Sequence, residues 1–172
     1  NVSGKLTRFG YAGSYTSKAE YMNKLTKVTS FGDLGLKTLY CTFLHATNLS
    51  EVPSVLPNTV WSLSYAFSKS GQEIIKNLNL WDVSQVRDMT GVFASAKQFN
   101  HDISSWDVSS AQTMRSMFHE ASAFNQDVGS WDVSSVANMS NMFELAWKFN
   151  QDIGTWDVSS VTEMRSMFKY TG

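Results

Sequence analysis

Asp82, Asp107, Asp132 and Asp157 recur at a constant interval of 25 residues, and Asp102, Asp127 and Asp152 keep the same interval. Carboxylates in such arrays suit two kinds of chemistry. They are hard oxygen ligands of the type calcium takes, and a pair of them serves glycoside hydrolysis. Strict repetition speaks against hydrolysis, because catalysis needs one differentiated pair rather than four equivalent groups. The expected role is structural: each Asp accepts backbone amide hydrogen bonds at a chain corner, as in an Asx-turn. Calcium held between neighbouring units is the one cofactor the sequence leaves open, although the glycine-rich spacing of a calcium loop is missing. His45, His101 and His119 share no metal-ligand spacing with one another or with the single cysteine, Cys41. Cys41 and His45 are spaced to pair on a helix, which is a weak signal. No catalytic constellation is legible, and the chain is expected not to be an enzyme.

The elements that must position these residues are repeats. Trp-Asp-Val-Ser recurs at Trp81, Trp106, Trp131 and Trp156, and Phe-Asn at Phe99, Phe124 and Phe149. A fixed period of this length marks an array of stacked units, none of which buries its apolar face alone. Weaker copies upstream, around Phe43 and Phe67, bring the array to about six units over residues 36–172. Residues 1–35 fit no unit well and read as an N-terminal cap, since the end of such an array exposes its core. The last unit stops before its Phe-Asn, so the chain reads as a piece of a longer array. Within a unit, Val136, Met139, Met142, Phe143 and Ala146 trace one face of a helix. Ser134 or Ser135 stands where an N-cap belongs. Phe149–Ile153 alternates at its ends and suits a short strand. The expectation is therefore an α/β solenoid, each coil made of one short strand and one short helix.

Residues that agree between units should be packing. Trp81, Trp106, Trp131 and Trp156 are expected to stack in the core or at its corners, and the methionines to fill core gaps rather than bind metal. Asn100, Asn125 and Asn150 are expected to form an amide ladder between units. Function should lie where units disagree. Those positions include Arg87, Arg115, Arg165, His101, His119, Glu120, Glu144, Trp147 and Lys148. Trp147 stands out, because Lys97 and Ser122 occupy its place in other units.

Composition narrows the partners. The 172 residues are 42% apolar and 13% aromatic, ample for a core, and 14 basic against 15 acidic residues leave a net charge of −1. No field draws the chain to nucleic acid or an anionic membrane, no stretch is long and apolar enough to span a bilayer, and Asn1–Lys5 does not read as a signal peptide. The sequons at Asn1, Asn48 and Asn138 are close to what a Ser- and Asn-rich chain produces without selection.

The string Phe-Asn-Gln-Asp-Ile-Gly-Thr-Trp-Asp-Val-Ser-Ser-Val-Thr-Glu-Met-Arg-Ser-Met-Phe, residues 149–168, resembles the repeat of BspA-like leucine-rich-repeat surface proteins of bacteria. The resemblance covers residues from about 31 to 172 and includes the Leu49–Pro57 segment, similar to units that lack the tryptophan. It implies a right-handed, leucine-rich-repeat-like solenoid on a secreted or surface-anchored protein, with extracellular or cell-surface placement. It also implies adhesion to protein or glycan partners on a host, matrix or neighbouring cell. It brings no family active site. The structural rival is a subunit that self-assembles through open ends or edges into a filament or matrix.

Overall fold

The computed structural model describes residues 22–172; residues 1–21, most of the expected cap and the Asn1 sequon among them, lie outside the described residues. From residue 23 onward the only helix is a three-residue 3-10 turn, Leu78–Leu80. Among the described residues, backbone pairing consists of seven isolated parallel bridges and no sheet. The expected coil of one strand and one helix, with the right-handed leucine-rich-repeat solenoid it implied, is therefore wrong. What stacks instead is a chain of turns.

The helix expected over 136–146 fails for a reason visible in its hydrogen bonds. A helix needs each amide to reach the carbonyl four residues back. Here alternate amides reach only three back: Met142 N to Met139 O, Ala146 N to Phe143 O and Phe149 N to Ala146 O. The amides between them leave the unit altogether. Asn141 N donates to Arg165 O at 2.8 Å, Phe143 N to Met167 O at 2.9 Å and Leu145 N to Lys169 O at 2.9 Å. The apolar interval of three is thus the step of successive tight turns, which imitates the 3.6-residue period over so short a stretch. Sending amides sideways requires left-handed backbone. Cys41, Tyr65, Gly91, Ser116, Asn141 and Ser166, one per unit, have φ between 52° and 60°. Four positions further on, His45, Lys69, Ser95, Glu120, Leu145 and Tyr170 have φ between 56° and 65°. Left-handed backbone at non-glycine residues is unfavourable by itself, and at every one of these positions from Cys41 to Leu145 the amide finds an acceptor in the neighbouring unit.

The expected strand at Phe149–Ile153 is also absent, because side chains replace the backbone ladder there. Asn150 N donates to Asn125 Oδ1 and Asn125 N to Asn100 Oδ1, each at 2.9 Å. The expected serine N-cap is absent too. Ser134 donates both its amide and its hydroxyl to Asp132, at 3.0 and 2.6 Å.

The core is a set of side-chain columns. Phe43, Phe67, Phe93, Phe118, Phe143 and Phe168 stack with centroids 5.0 to 5.8 Å apart. Phe99, Phe124 and Phe149 form a second column at 5.9 to 6.0 Å, and each touches the first column within its own unit at 3.9 Å. Each large side chain fully buried this way contributes about 1.5–3 kcal/mol before conformational entropy offsets most of the sum. Burial comes from the following unit. Met139 and Phe143 are 0% exposed, whereas Met164 and Phe168 in the last unit are 42% and 47% exposed. Upstream, Leu25, Val28 and Leu34 pack against the core, and Val28 N donates to Glu51 O, so stacking is already under way before residue 36.

Candidate binding face

The backbone of every unit carries one position that is invariant in bonding and different in side chain. Trp61 N donates to Lys37 O, Arg87 N to Trp61 O, Gln112 N to Arg87 O, Ala137 N to Gln112 O and Thr162 N to Ala137 O, at 2.8 to 2.9 Å. The side chains on this ladder are Lys37, Trp61, Arg87, Gln112, Ala137 and Thr162, and all six are exposed. A rigid main-chain rail therefore displays an unconstrained row of side chains. Beside it runs the bridged column Thr38, Ser62, Asp88, Thr113, Asn138 and Glu163.

Where these two columns meet, Trp61, Arg87, Asp88, Gln112 and Thr113 line a groove of about 410 Å³. That volume lies within the range of ligand sites, roughly 300–1,000 Å³. Asp88 is held rigidly: its Oδ2 accepts from the Ser62 hydroxyl at 2.9 Å and its Oδ1 from Thr90 N at 3.0 Å. Trp61 is 49% exposed.

The other residues singled out by sequence go elsewhere. Trp147 is exposed but does not line this groove, and neither do Arg115, Arg165 and His101. His119 joins a separate polar cluster, 3.7 Å from Glu144 and 3.9 Å from Glu120, with Lys169 3.5 Å from Glu144. His101 is half-buried, and its Nε2 has no hydrogen-bond partner. Burial lowers its pKa, against the opposing pull of Asp102. Cys41 and His45 line a second cavity of about 330 Å³ with Tyr40, Leu44, Tyr65, Ser68 and Lys69.

The repeated residues have structural partners. The indole amines of Trp81, Trp106, Trp131 and Trp156 donate to Pro53, Leu78, Ile103 and Val128 carbonyls, each 28 residues back, which ties every unit to the one before. Asp82, Asp107, Asp132 and Asp157 each accept the amide of the serine two residues on, at 2.9 to 3.0 Å. Those serine bonds hold the Asp82, Asp132 and Asp157 carboxyls below the usual aspartate value. Among the described residues no group of three or more His, Cys, Asp or Glu is placed to hold a metal ion. The asparagines bond neighbouring units through their side-chain oxygens, Asn100 Oδ1 accepting Asn125 N and Asn125 Oδ1 accepting Asn150 N, and Asn125 and Asn150 are exposed rather than buried.

Residues 61–172, which begin at Trp61 and take in every Trp-Asp-Val-Ser unit, match the family described as "Mycoplasma protein of unknown function, DUF285". The chain belongs to that family. No curated protein and no solved structure matches it. A family of unknown function leaves the groove to be read from its own chemistry. Sequence reasoning named Arg87 but passed over Trp61. The signal was present: Trp61 lies at the Arg87, Gln112, Ala137 and Thr162 position, where no other unit carries an aromatic.

Proposed function

We propose that the chain is a non-catalytic interaction module of a surface protein, displayed outside the cell, which holds protein or glycan partners on its variable face. One observation carries this reading: the residues shared between units are buried or bonded, while the six on the Lys37–Thr162 rail differ and are all exposed. Packing dictates the first set and leaves the second to be chosen by partners. The likeness of residues 149–168 to BspA-like surface repeats supports adhesion and surface placement, without their fold. Balanced charge disfavours nucleic acid. Among the described residues no helix is long and apolar enough to cross a membrane.

The test is binding of the purified chain to immobilised matrix proteins and oligosaccharides, measured by surface plasmon resonance. The triple variant Trp61→Ala, Arg87→Ala, Gln112→Ala should lose binding at an unchanged melting midpoint. Equal binding by wild type and variant, or no binding at all, counts against the module. Calcium is tested in the same assay, where a chelator that shifts neither binding nor melting removes it as a cofactor.

A second reading is self-assembly, in which open edges of the array join into a filament or matrix. Light scattering decides it: a monodisperse monomer at high concentration argues against end-to-end stacking.

A further inference from the structure

We infer that Trp61, Arg87, Asp88, Gln112 and Thr113 form a binding site for a neutral carbohydrate, one sugar ring stacking on the Trp61 indole with its hydroxyls held by the polar groups beside it. This deepens the interaction-module reading and rests on it.

The indole is set apart from every other tryptophan on the core columns. Trp81, Trp106, Trp131 and Trp156 are buried with their amines bonded to protein carbonyls. Trp61 makes no side-chain hydrogen bond and no ring contact among the described residues, where the one cation–π pair is Lys169 over Tyr170. An open π-face carries a negative quadrupole. The C–H face of a pyranose is its complement: apolar, weakly positive and of similar breadth.

The rim supplies what a sugar's edge requires. Asp88 accepts from hydroxyls, and its orientation is fixed beforehand by Ser62 and Thr90. Arg87 offers a planar fork of donors, Gln112 both donor and acceptor, and Thr113 a hydroxyl. A site built to hydrogen-bond hydroxyls discriminates strongly for them. Its charges offset, one guanidinium against one carboxylate, so a phosphorylated or sulfated ligand gains little. Trp61 is the one aromatic on the rail, so a flat apolar platform beside polar groups is offered at the groove and not elsewhere along it, a footprint suited to a sugar ring rather than to the roughly 800 Å² that a protein partner covers.

The experiment uses an array of neutral oligosaccharides built from glucose, galactose, mannose and N-acetylglucosamine, followed by calorimetric titration of the strongest binder. Wild type should bind at least one probe. Trp61→Ala and Asp88→Asn should each weaken it about tenfold or more, Trp61→Phe should weaken it less, and Trp147→Ala should match wild type. Because Trp61 is exposed, its melting midpoint should hold, which separates lost contact from lost fold. Failure of every neutral probe, or wild-type affinity in Trp61→Ala, overturns the inference. If glycans fail while an immobilised protein still binds through the rail, the interaction-module reading stands without it; if both fail, both fall.

Discussion

Replacing Phe118 by alanine tests the column packing on which every other statement depends. The ring is 0% exposed and lies between Phe93 at 5.6 Å and Phe143 at 5.5 Å, with Phe124 at 3.9 Å in its own unit. Truncating a buried phenylalanine costs about 3–5 kcal/mol, because neighbours collapse only partly into the cavity. Here the neighbours are rails of the adjoining units, fixed by bonds such as Phe118 N to Met142 O at 2.9 Å, so the upper part of that range is expected. Phe168 occupies the same column but is 47% exposed and stacks on one side only, on Phe143 at 5.8 Å. Phe168→Ala should therefore cost about 1–2 kcal/mol, in proportion to the area it hides. Urea titration with a constant slope gives both numbers, and thermal melts should separate the two variants by roughly 4–12 °C for a chain of this size. Equal costs at the two positions, or less than about 1 kcal/mol at Phe118, would refute the stacked-column account.

Gly91 should tolerate no side chain while Tyr65 is present. A Cβ there would run into the Tyr65 ring, whereas its positive φ is shared by serine and asparagine in other units. Gly91→Ala should cost about 1–3 kcal/mol, and Tyr65→Ser should restore most of it in a double-mutant cycle. His101→Gln places in the column the residue already present at Gln126 and Gln151, and should stabilise by about 1 kcal/mol by removing an unpartnered buried nitrogen. Burial lowers the His101 pKa, so below 6.5 the unfolded chain takes up a proton that the folded chain resists. Wild type should lose stability as pH falls from 6.5 toward the lower folded value, and melting of His101→Gln should be flatter there. Asp82, Asp132 and Asp157 act at lower pH: their folded pKa values lie below 3.8, so the stability they contribute is complete above 3.8 and is lost as pH falls through the folded values. Acid titration of Asp132→Asn, followed by circular dichroism, should show a smaller loss below 3.8 than wild type.

The sequence alone determined the columns. Identical residues at a fixed interval must occupy equivalent places, so columns of Trp106 and Phe118 equivalents and an amide-accepting corner at Asp107 and Asp132 follow from repetition, whereas the donor's identity does not: Ser134 reads as a helix N-cap and instead bonds Asp132. What it misstated was the local conformation. Val136, Met139, Met142, Phe143 and Ala146 fit a helix as well as they fit consecutive turns, because over ten residues the two periods hardly diverge. The Arg165 and Lys169 carbonyls that receive the Asn141 and Leu145 amides belong to the neighbouring unit, so the bonds that accompany the left-handed backbone are not written in one unit's periodicity. The groove belongs to the same class of fact. Trp61, Arg87 and Gln112 are some 25 residues apart in sequence, and they become neighbours because the bonded rail sets each beside the next. Repetition could say that these positions differ; stacking alone brings the differing side chains together on one exposed face.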